Sequence, residues 1–198
     1  MSTYTRYFLA GGSDRGYDQY GIRLSAAVSE SVVSPKILSC FFSQEKELWS
    51  EKATGWEIWF RRYFGDAIEY RCATIDGFLD EIKWADVIYL HGGTTALLLD
   101  ALGKYTELEK AFEGKIIVGS SAGTNYLSKT FFSPKRNVVG SGSGIININT
   151  VVHYGASSDG EVSLTKEGWL DAVDRVKASV GDEPIVLLPE GEFISIIK

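Results

Sequence analysis

The chain alternates short apolar runs with segments of helix length. The short runs predict β-strands over residues 7–10, 36–42, 67–73, 87–90, 116–119 and 148–152. The segments between and after them predict helices over 16–31, 44–63, 77–83, 95–112, 122–129 and 166–180. Strands that alternate with helices form right-handed βαβ units. We therefore predict an α/β fold, with a mostly parallel sheet covered by helices on both faces.

The C-terminal end departs from this alternation. Residues 185–188 and 193–197 are both apolar, and the sequence PEGE separates them. Two apolar runs with a short polar turn between them predict a β-hairpin. No internal repeat, low-complexity tract or linker divides the 198 residues, so we expect one domain over 1–198.

Composition narrows the class of protein. The chain is 44% apolar and 23% charged, which is typical of a soluble globular protein. Its net charge of −6 argues against nucleic acid as the main partner. No apolar stretch approaches the ~20 residues that a membrane span needs, and the N-terminus shows no signal-type apolar core. Cys40 and Cys72 form no C-x-x-C motif, so we expect a reducing, cytoplasmic compartment.

The most informative segment follows the predicted strand 116–119. Residues 119–123 read GSSAG, a G-x-S-x-G sequence between a strand and a helix. A sharp turn of this kind raises its middle serine, Ser121, above the sheet. The first N–H groups of the new helix then point at any oxyanion that develops there. Similar turns also bind phosphate or only redirect the chain. The motif alone therefore does not show that Ser121 is a nucleophile.

Two other Gly-rich turns follow predicted strands, at 11–13 and 92–94. Ligands of such sheets bind beyond the carboxyl ends of the strands. The three turns together predict the rim of an active site.

A serine nucleophile needs a base, and the chain has two histidines, His91 and His153. We favour His153, because the turn after His91 is better suited to offer N–H groups to an oxyanion. No Asp or Glu lies between Ser121 and His153. With His153 as base, the α/β-hydrolase order of serine, acid and histidine is therefore excluded, and the acid must follow the histidine.

Most Asp and Glu residues after His153 lie in predicted loops or on predicted helix surfaces, where a carboxylate is usually solvated. They are Asp159, Glu161, Glu167, Asp171, Asp174, Asp182 and Glu183. Glu190 differs, because it stands where an apolar strand breaks into a turn. We predict Glu190 as the partner of His153, with Glu192 as the alternative.

Taken together, these segments resemble peptidase family S51, which includes peptidase E (the aspartyl dipeptidase) and the more distant cyanophycinases. The resemblance rests on GSSAG at 119–123, HGGTT at 91–95, the His-Tyr pair at 153–154 and LPEG at 188–191. It covers essentially the whole chain and implies a fold like that of the class I glutamine amidotransferases, which is flavodoxin-like.

The resemblance also implies a Ser-His-Glu triad. Ser121 would be the nucleophile, His153 the general base and then acid, and Glu190 its orienting partner. The backbone N–H groups of Gly93 and Ala122 would form the oxyanion hole.

Two positions depart from the family pattern. Family turns equivalent to 92–95 commonly carry Asn before the Thr, where this chain has Thr94. Peptidase E members have Thr-Arg-Glu after the histidine, and that Arg is associated with recognition of an N-terminal Asp. Here Lys166 replaces the Arg, and lysine lacks the planar bidentate fork. We expect Thr94 and Lys166 to contact substrate, with a weaker preference for Asp than in an arginine-bearing relative.

The sequence thus predicts a serine peptidase of small peptides. An esterase or amidase on the same scaffold, and a catalytically silent binding or assembly homologue, stay open. No nucleotide motif follows Gly11, and neither histidine has metal-ligand spacing, so no cofactor or metal is expected. The aromatic segment 48–64 predicts a helix that packs its Trp face on the sheet or on a second subunit, and a homodimer stays open.

Overall fold

The computed structural model describes residues 4–12, 14–156 and 164–198. The strands in these ranges are β1 (Arg6–Ala10), β2 (Lys36–Cys40), β3 (Glu69–Cys72), β4 (Val87–Leu90), β5 (Ile116–Ser120), β6 (Thr130–Ser133), β7 (Val138–Ser141), β8 (Asn149–Val152), β9 (Ile185–Leu188) and β10 (Phe193–Ile197). The helices are α1 (Asp18–Ser29), α2 (Trp49–Phe64), α3 (Phe78–Trp84), α4 (Thr95–Gly103), α5 (Leu108–Ala111), α6 (Ala122–Leu127) and α7 (Lys166–Val180). No helix in the described ranges is long and apolar enough to cross a membrane.

Six strands form the large sheet, in the order β10-β1-β5-β4-β2-β3. All neighbours in it are parallel except β10 and β1. Side chains alternate between two cores: Tyr7 and Leu9 lie in one, and Phe8 and Ala10 in the other. Helices cover both faces, which explains why the central strands β4 and β5 are buried along their whole length. The predicted α/β fold is confirmed.

The aromatic face of α2 packs against other parts of the same chain. Trp59 and Phe60 are buried, and they share a core with Tyr20 and Tyr89 on one face of the large sheet. The helix therefore packs its Trp face on the sheet, which is one of the two predicted arrangements.

Four strands form the small sheet, in the order β7-β6-β8-β9. The helix α7 covers it by packing Trp169, Ala172 and Val176 against Phe132 and Val151. The strands β6 and β7 are not among the predicted ones. Each has four residues, and a polar turn separates them, so neither forms an apolar run long enough to be recognised.

The C-terminal strands and their turn have the predicted bounds, and the last strand is antiparallel to its neighbour. That neighbour is β1 of the large sheet, whereas β9 pairs parallel with β8 of the small sheet. The two strands of the predicted hairpin therefore do not pair with each other. The apolar β10 contributes Ile194, Ile196 and Phe193 to the cores of the large sheet, which accounts for its position there.

Candidate active site

The junction of β5 and α6 forms the predicted elbow. Ser121 has φ 48° and ψ −103°, a backbone conformation that costs a non-glycine residue on the order of 1–3 kcal/mol. Its N–H donates to the Ala10 carbonyl at 3.1 Å, and its carbonyl accepts from Asn125 N–H at 2.9 Å. A Cβ at position 123 would lie 2.1 Å from the Leu90 carbonyl oxygen, so only glycine allows α6 to approach β4 this closely.

Three predicted residues form a continuous chain of hydrogen bonds. The Ser121 Oγ lies 2.8 Å from His153 Nε2, and His153 Nδ1 lies 2.7 Å from Glu190 Oε1. The His153 and Glu190 side chains are largely buried, at 15% and 24% exposure. With the ring proton on Nδ1, His153 donates to the carboxylate, and Nε2 accepts from the serine hydroxyl. This geometry allows the imidazole to remove the hydroxyl proton.

The small sheet places His153 and Glu190 side by side. Val152 of β8 lies opposite Leu188 of β9, so His153 and Glu190 follow the ends of two neighbouring strands. His153 has φ 57°, and its N–H donates to the carbonyl of Gly11, after β1, at 3.0 Å. The histidine is therefore held by both sheets.

The structure distinguishes the two candidate glutamates. Glu190 faces the imidazole, and the Tyr17 hydroxyl lies 3.5 Å from its second oxygen. Glu192 instead pairs with Arg23 of α1 at 2.8 Å, and both side chains are about half exposed. Three residues raised by the sequence, Ser13, Asp159 and Glu161, lie outside the described ranges.

The two predicted oxyanion donors, Ala122 and Gly93, belong to segments that contact Ser121. The N–H of Ala122 is the first of α6, and Gly93 lies in the turn after β4. An ideal Cβ on the adjoining Gly92 would be 3.3 Å from Ser121 Cβ, so this turn is in contact with the serine. Neither N–H donates to an acceptor in the part of the chain that the structure describes. Both groups therefore stay candidates for an oxyanion hole.

A cleft of about 1220 Å³ opens above these groups. It is lined by Ser121, His153, Glu190, Gly93 and Thr94, among others. Its size is sufficient for a short peptide.

Lys166 lies outside this cleft. It lines a neighbouring cavity of about 340 Å³ with Trp169 and Leu170. The two cavities share Tyr154, Gly155 and Ala156. Lys166 is thus beside the cleft, whereas Thr94 lines it.

One wall of the cleft consists of residues that were not predicted as part of the site. Arg15, Lys52 and Trp56 line it, and the Arg15 guanidinium lies 5.8 Å from the Trp56 ring centroid. Arg15 closely follows the predicted turn at 11–13, which is the signal that could have identified it.

His91 forms part of the floor of the cleft. It is 2% exposed and stacks on Phe41 with centroids 4.1 Å apart. Its Nε2 lies 3.0 Å from Ser39 Oγ. Burial, and then the charges of Lys52 and Arg15, hold the pKa of His91 well below its ordinary value. A neutral, enclosed imidazole is a structural group, which agrees with the choice of His153 as the candidate base.

Cys40 of β2 and Cys72 of β3 are free thiols. Burial raises the pKa of Cys40, so its thiolate is disfavoured. Within the described ranges, no group of three or more His, Cys, Asp or Glu side chains is placed to hold a metal ion.

Comparison with known proteins assigns the chain to a family. The sequence profile of peptidase family S51 matches residues 68–198. The chain belongs to peptidase family S51. The matched part of this S51 protein contains Ser121, His153 and Glu190.

A solved structure shares the fold. The crystal structure of a candidate peptidase E protein from Listeria monocytogenes EGD-e superposes with a TM-score of 0.62, over 98% of this chain and 98% of that chain, at 18% sequence identity. At this identity the likeness concerns the fold alone. No curated protein matches the sequence.

Proposed function

We propose that this S51 protein is a serine peptidase that hydrolyses small peptides through an acyl-enzyme on Ser121. The observation that carries the proposal is the hydrogen-bonded chain from Ser121 Oγ through His153 to Glu190, at 2.8 and 2.7 Å. A nucleophile bonded to a base, which is in turn bonded to an orienting acid, is the arrangement of a serine triad.

In the first half of the reaction, Ser121 Oγ attacks the peptide carbonyl carbon, and its proton passes to His153 Nε2. Glu190 keeps the Nδ1 proton in place and stabilises the imidazolium. The carbonyl oxygen becomes an oxyanion, which the N–H groups of Gly93 and Ala122 bind. The C–N bond then breaks, and the leaving amine takes the proton from His153.

In the second half, a water molecule attacks the acyl ester. His153 removes the proton of the water, and the bond between Ser121 Oγ and the acyl carbon breaks. Ser121 recovers its proton from His153. The net reaction consumes one water and releases an amine and a carboxylic acid.

Substrate contacts are proposed for Thr94, inside the cleft, and Lys166, beside it. A lysine attracts a carboxylate as a point charge, so we expect a weak preference for Asp. A Lys166→Ala variant compared with wild type on Asp-X and X-Ala dipeptides measures this contribution. Asp selectivity that survives the substitution would exclude Lys166 from recognition. The two free thiols support a reducing compartment, and we keep the cytoplasm as the proposed location.

The proposed function is tested by assaying wild type and Ser121→Ala on a panel of dipeptides and simple esters. Wild type should hydrolyse peptides, and the variant should lose about 10⁴-fold or more while keeping its melting temperature. Turnover of esters without peptides would favour an esterase or amidase. No turnover of either would favour a silent homologue, and full activity in Ser121→Ala would remove the serine from the mechanism.

A further inference from the structure

The turn at 92–94 is held by the loop that follows β2. The Ser43 hydroxyl shares its proton between the carbonyl oxygens of His91, at 2.8 Å, and Gly92, at 2.9 Å. The Gln44 side-chain amide also donates to the Gly92 oxygen. The Thr94 N–H donates back to the Ser43 carbonyl at 2.7 Å. The carbonyl of Gly92 therefore has two side-chain donors.

These donors fix the direction of the Gly93 N–H. The Gly92 carbonyl and the Gly93 N–H belong to one trans peptide group, which is planar, so they point in opposite directions. Two donors on the oxygen side therefore orient the N–H on the other side. They also polarise the peptide group, and this makes its N–H a stronger donor.

The close approach of the loop requires a glycine at position 93. Gly93 has φ 149°, and a Cβ there would lie 2.4 Å from the Ser43 carbonyl oxygen and 2.6 Å from Gln44 Nε2. Ser43 itself is 1% exposed, so its hydroxyl has little access to water as another partner. The turn therefore needs Gly93 for this close contact, and the loop provides the buried hydroxyl of Ser43.

We propose that Ser43 and Gln44 are positioning residues that aim the Gly93 N–H at the oxyanion of the reaction. This rests on the proposed serine mechanism. The two side chains act through the peptide group between positions 92 and 93. Their contribution therefore belongs to the transition state, where the oxygen is charged, and not to the binding of the ground-state peptide.

The inference predicts a rate effect without a binding effect. Ser43→Ala and Gln44→Ala should each slow acylation of Ser121 about tenfold, and the double variant about 10²-fold, since loss of one complete oxyanion donor costs about 10²- to 10³-fold. Ser43→Thr keeps the hydroxyl and should recover most of the rate. The KM for a dipeptide should change less than twofold.

The experiment measures how fast a fluorophosphonate inactivates each variant, per reactive Ser121. The melting temperature of each variant is measured alongside. Ser128→Ala is the matched control, because Ser128 is also a buried serine that donates to a backbone carbonyl, that of Thr124, at 2.8 Å. It lies at the far end of α6, so its loss should affect stability alone. Gln44→Ala serves if Ser43→Ala does not fold, since Gln44 is only partly buried.

The outcomes separate the two proposals. Labelled wild type with slower Ser43→Ala and Gln44→Ala supports the inference. If wild type is labelled and both variants react at the wild-type rate per site, the inference is overturned and the serine mechanism stays intact. A wild type that takes up no label at Ser121 overturns both.

Discussion

The large and the small sheet contribute different parts of the candidate site. The large sheet supplies Ser121 and the turn at 92–94, whereas the small sheet supplies His153 and Glu190. The large sheet has a core on each face, and one of these cores also contains Val152 and Leu188 of the small sheet. A further core lies between the small sheet and α7. The proposed nucleophile and the proposed base therefore come from different sheets, and the distance between them depends on the alignment of the two sheets.

Backbone hydrogen bonds join the two sheets next to the site, in addition to the apolar core that they share. Three of them, each 3.0 Å long, join the loop after β1 to residues that follow β8 and β9. They run from His153 N–H to the Gly11 carbonyl, from Gly191 N–H to the Gly12 carbonyl, and from Gly11 N–H to the Glu192 carbonyl. Because backbone groups make these contacts, most side-chain substitutions in the site should leave the alignment unchanged.

The largest effect is expected from replacing His153, the proposed base that the small sheet positions. His153→Ala removes the proposed base but none of the backbone bonds, so hydrolysis of the best dipeptide should fall by about 10⁴-fold or more with an unchanged melting temperature. Steady-state assays and thermal unfolding provide the measurement. Near-normal turnover would show that the small sheet does not take part in the reaction.

A smaller loss of activity is expected from replacing Glu190, the proposed acid, and Glu192 provides a matched control. Glu190→Gln should reduce kcat by about 10²- to 10⁴-fold, because the neutral amide no longer stabilises the imidazolium. Glu192→Gln, two residues away, breaks only the half-exposed pair with Arg23 and should change kcat less than about twofold. Equal losses in the two variants would contradict the assignment of Glu190.

In the large sheet, the elbow can be tested through stability. Gly123→Ala places a methyl group against the Leu90 carbonyl and should lower the free energy of unfolding by about 1–3 kcal/mol. Gly103→Ala is the control. Apart from its chain neighbours and its own helix backbone, no described atom lies within 4 Å of its Cβ position at the end of α4, and there alanine should be neutral or stabilising by up to about 1 kcal/mol. Urea unfolding of both variants measures the difference. A fully stable Gly123→Ala protein would show that the elbow is less closely packed.

The smallest effect concerns pH and His91. The pKa of His91 is held low by burial in the folded protein, so the unfolded chain takes up its proton first, below about pH 6.5. The stabilisation from the neutral imidazole is therefore complete above that pH and decreases as the pH falls toward the folded-state pKa. From pH 7.5 to 5.5, wild type should lose about 1 kcal/mol more than His91→Phe. Identical losses in urea unfolding would mean that His91 does not titrate differently in the two states.

Local patterns predicted the large sheet better than the small one. The strands β1, β4 and β5 are buried on both faces, so they are continuous apolar runs that the sequence displays directly. The elbow at 119–123 was also predictable, because glycine and serine after such a run have a local steric meaning. The order of acid and base followed from the lack of carboxylates between Ser121 and His153.

The remaining features depend on contacts between distant segments. The strands β6 and β7 are short, and the partner of β10 is about 190 residues away in sequence, since Arg6 pairs with Ile197. The contacts of Ser43 and Gln44 with the Gly92 carbonyl cross 49 and 48 residues, respectively. No local pattern encodes such pairings, and they appear only when the sheet brings the ends of β2 and β4 together.

The most direct test of the account is to treat the native protein with a fluorophosphonate and map the modified residue by mass spectrometry. Activation of Ser121 by His153 requires both sheets to be aligned. We therefore predict one adduct, on Ser121, that is absent from the unfolded protein and from His153→Ala. A folded protein that takes up no label, or an adduct on Ser120 instead, would contradict the account.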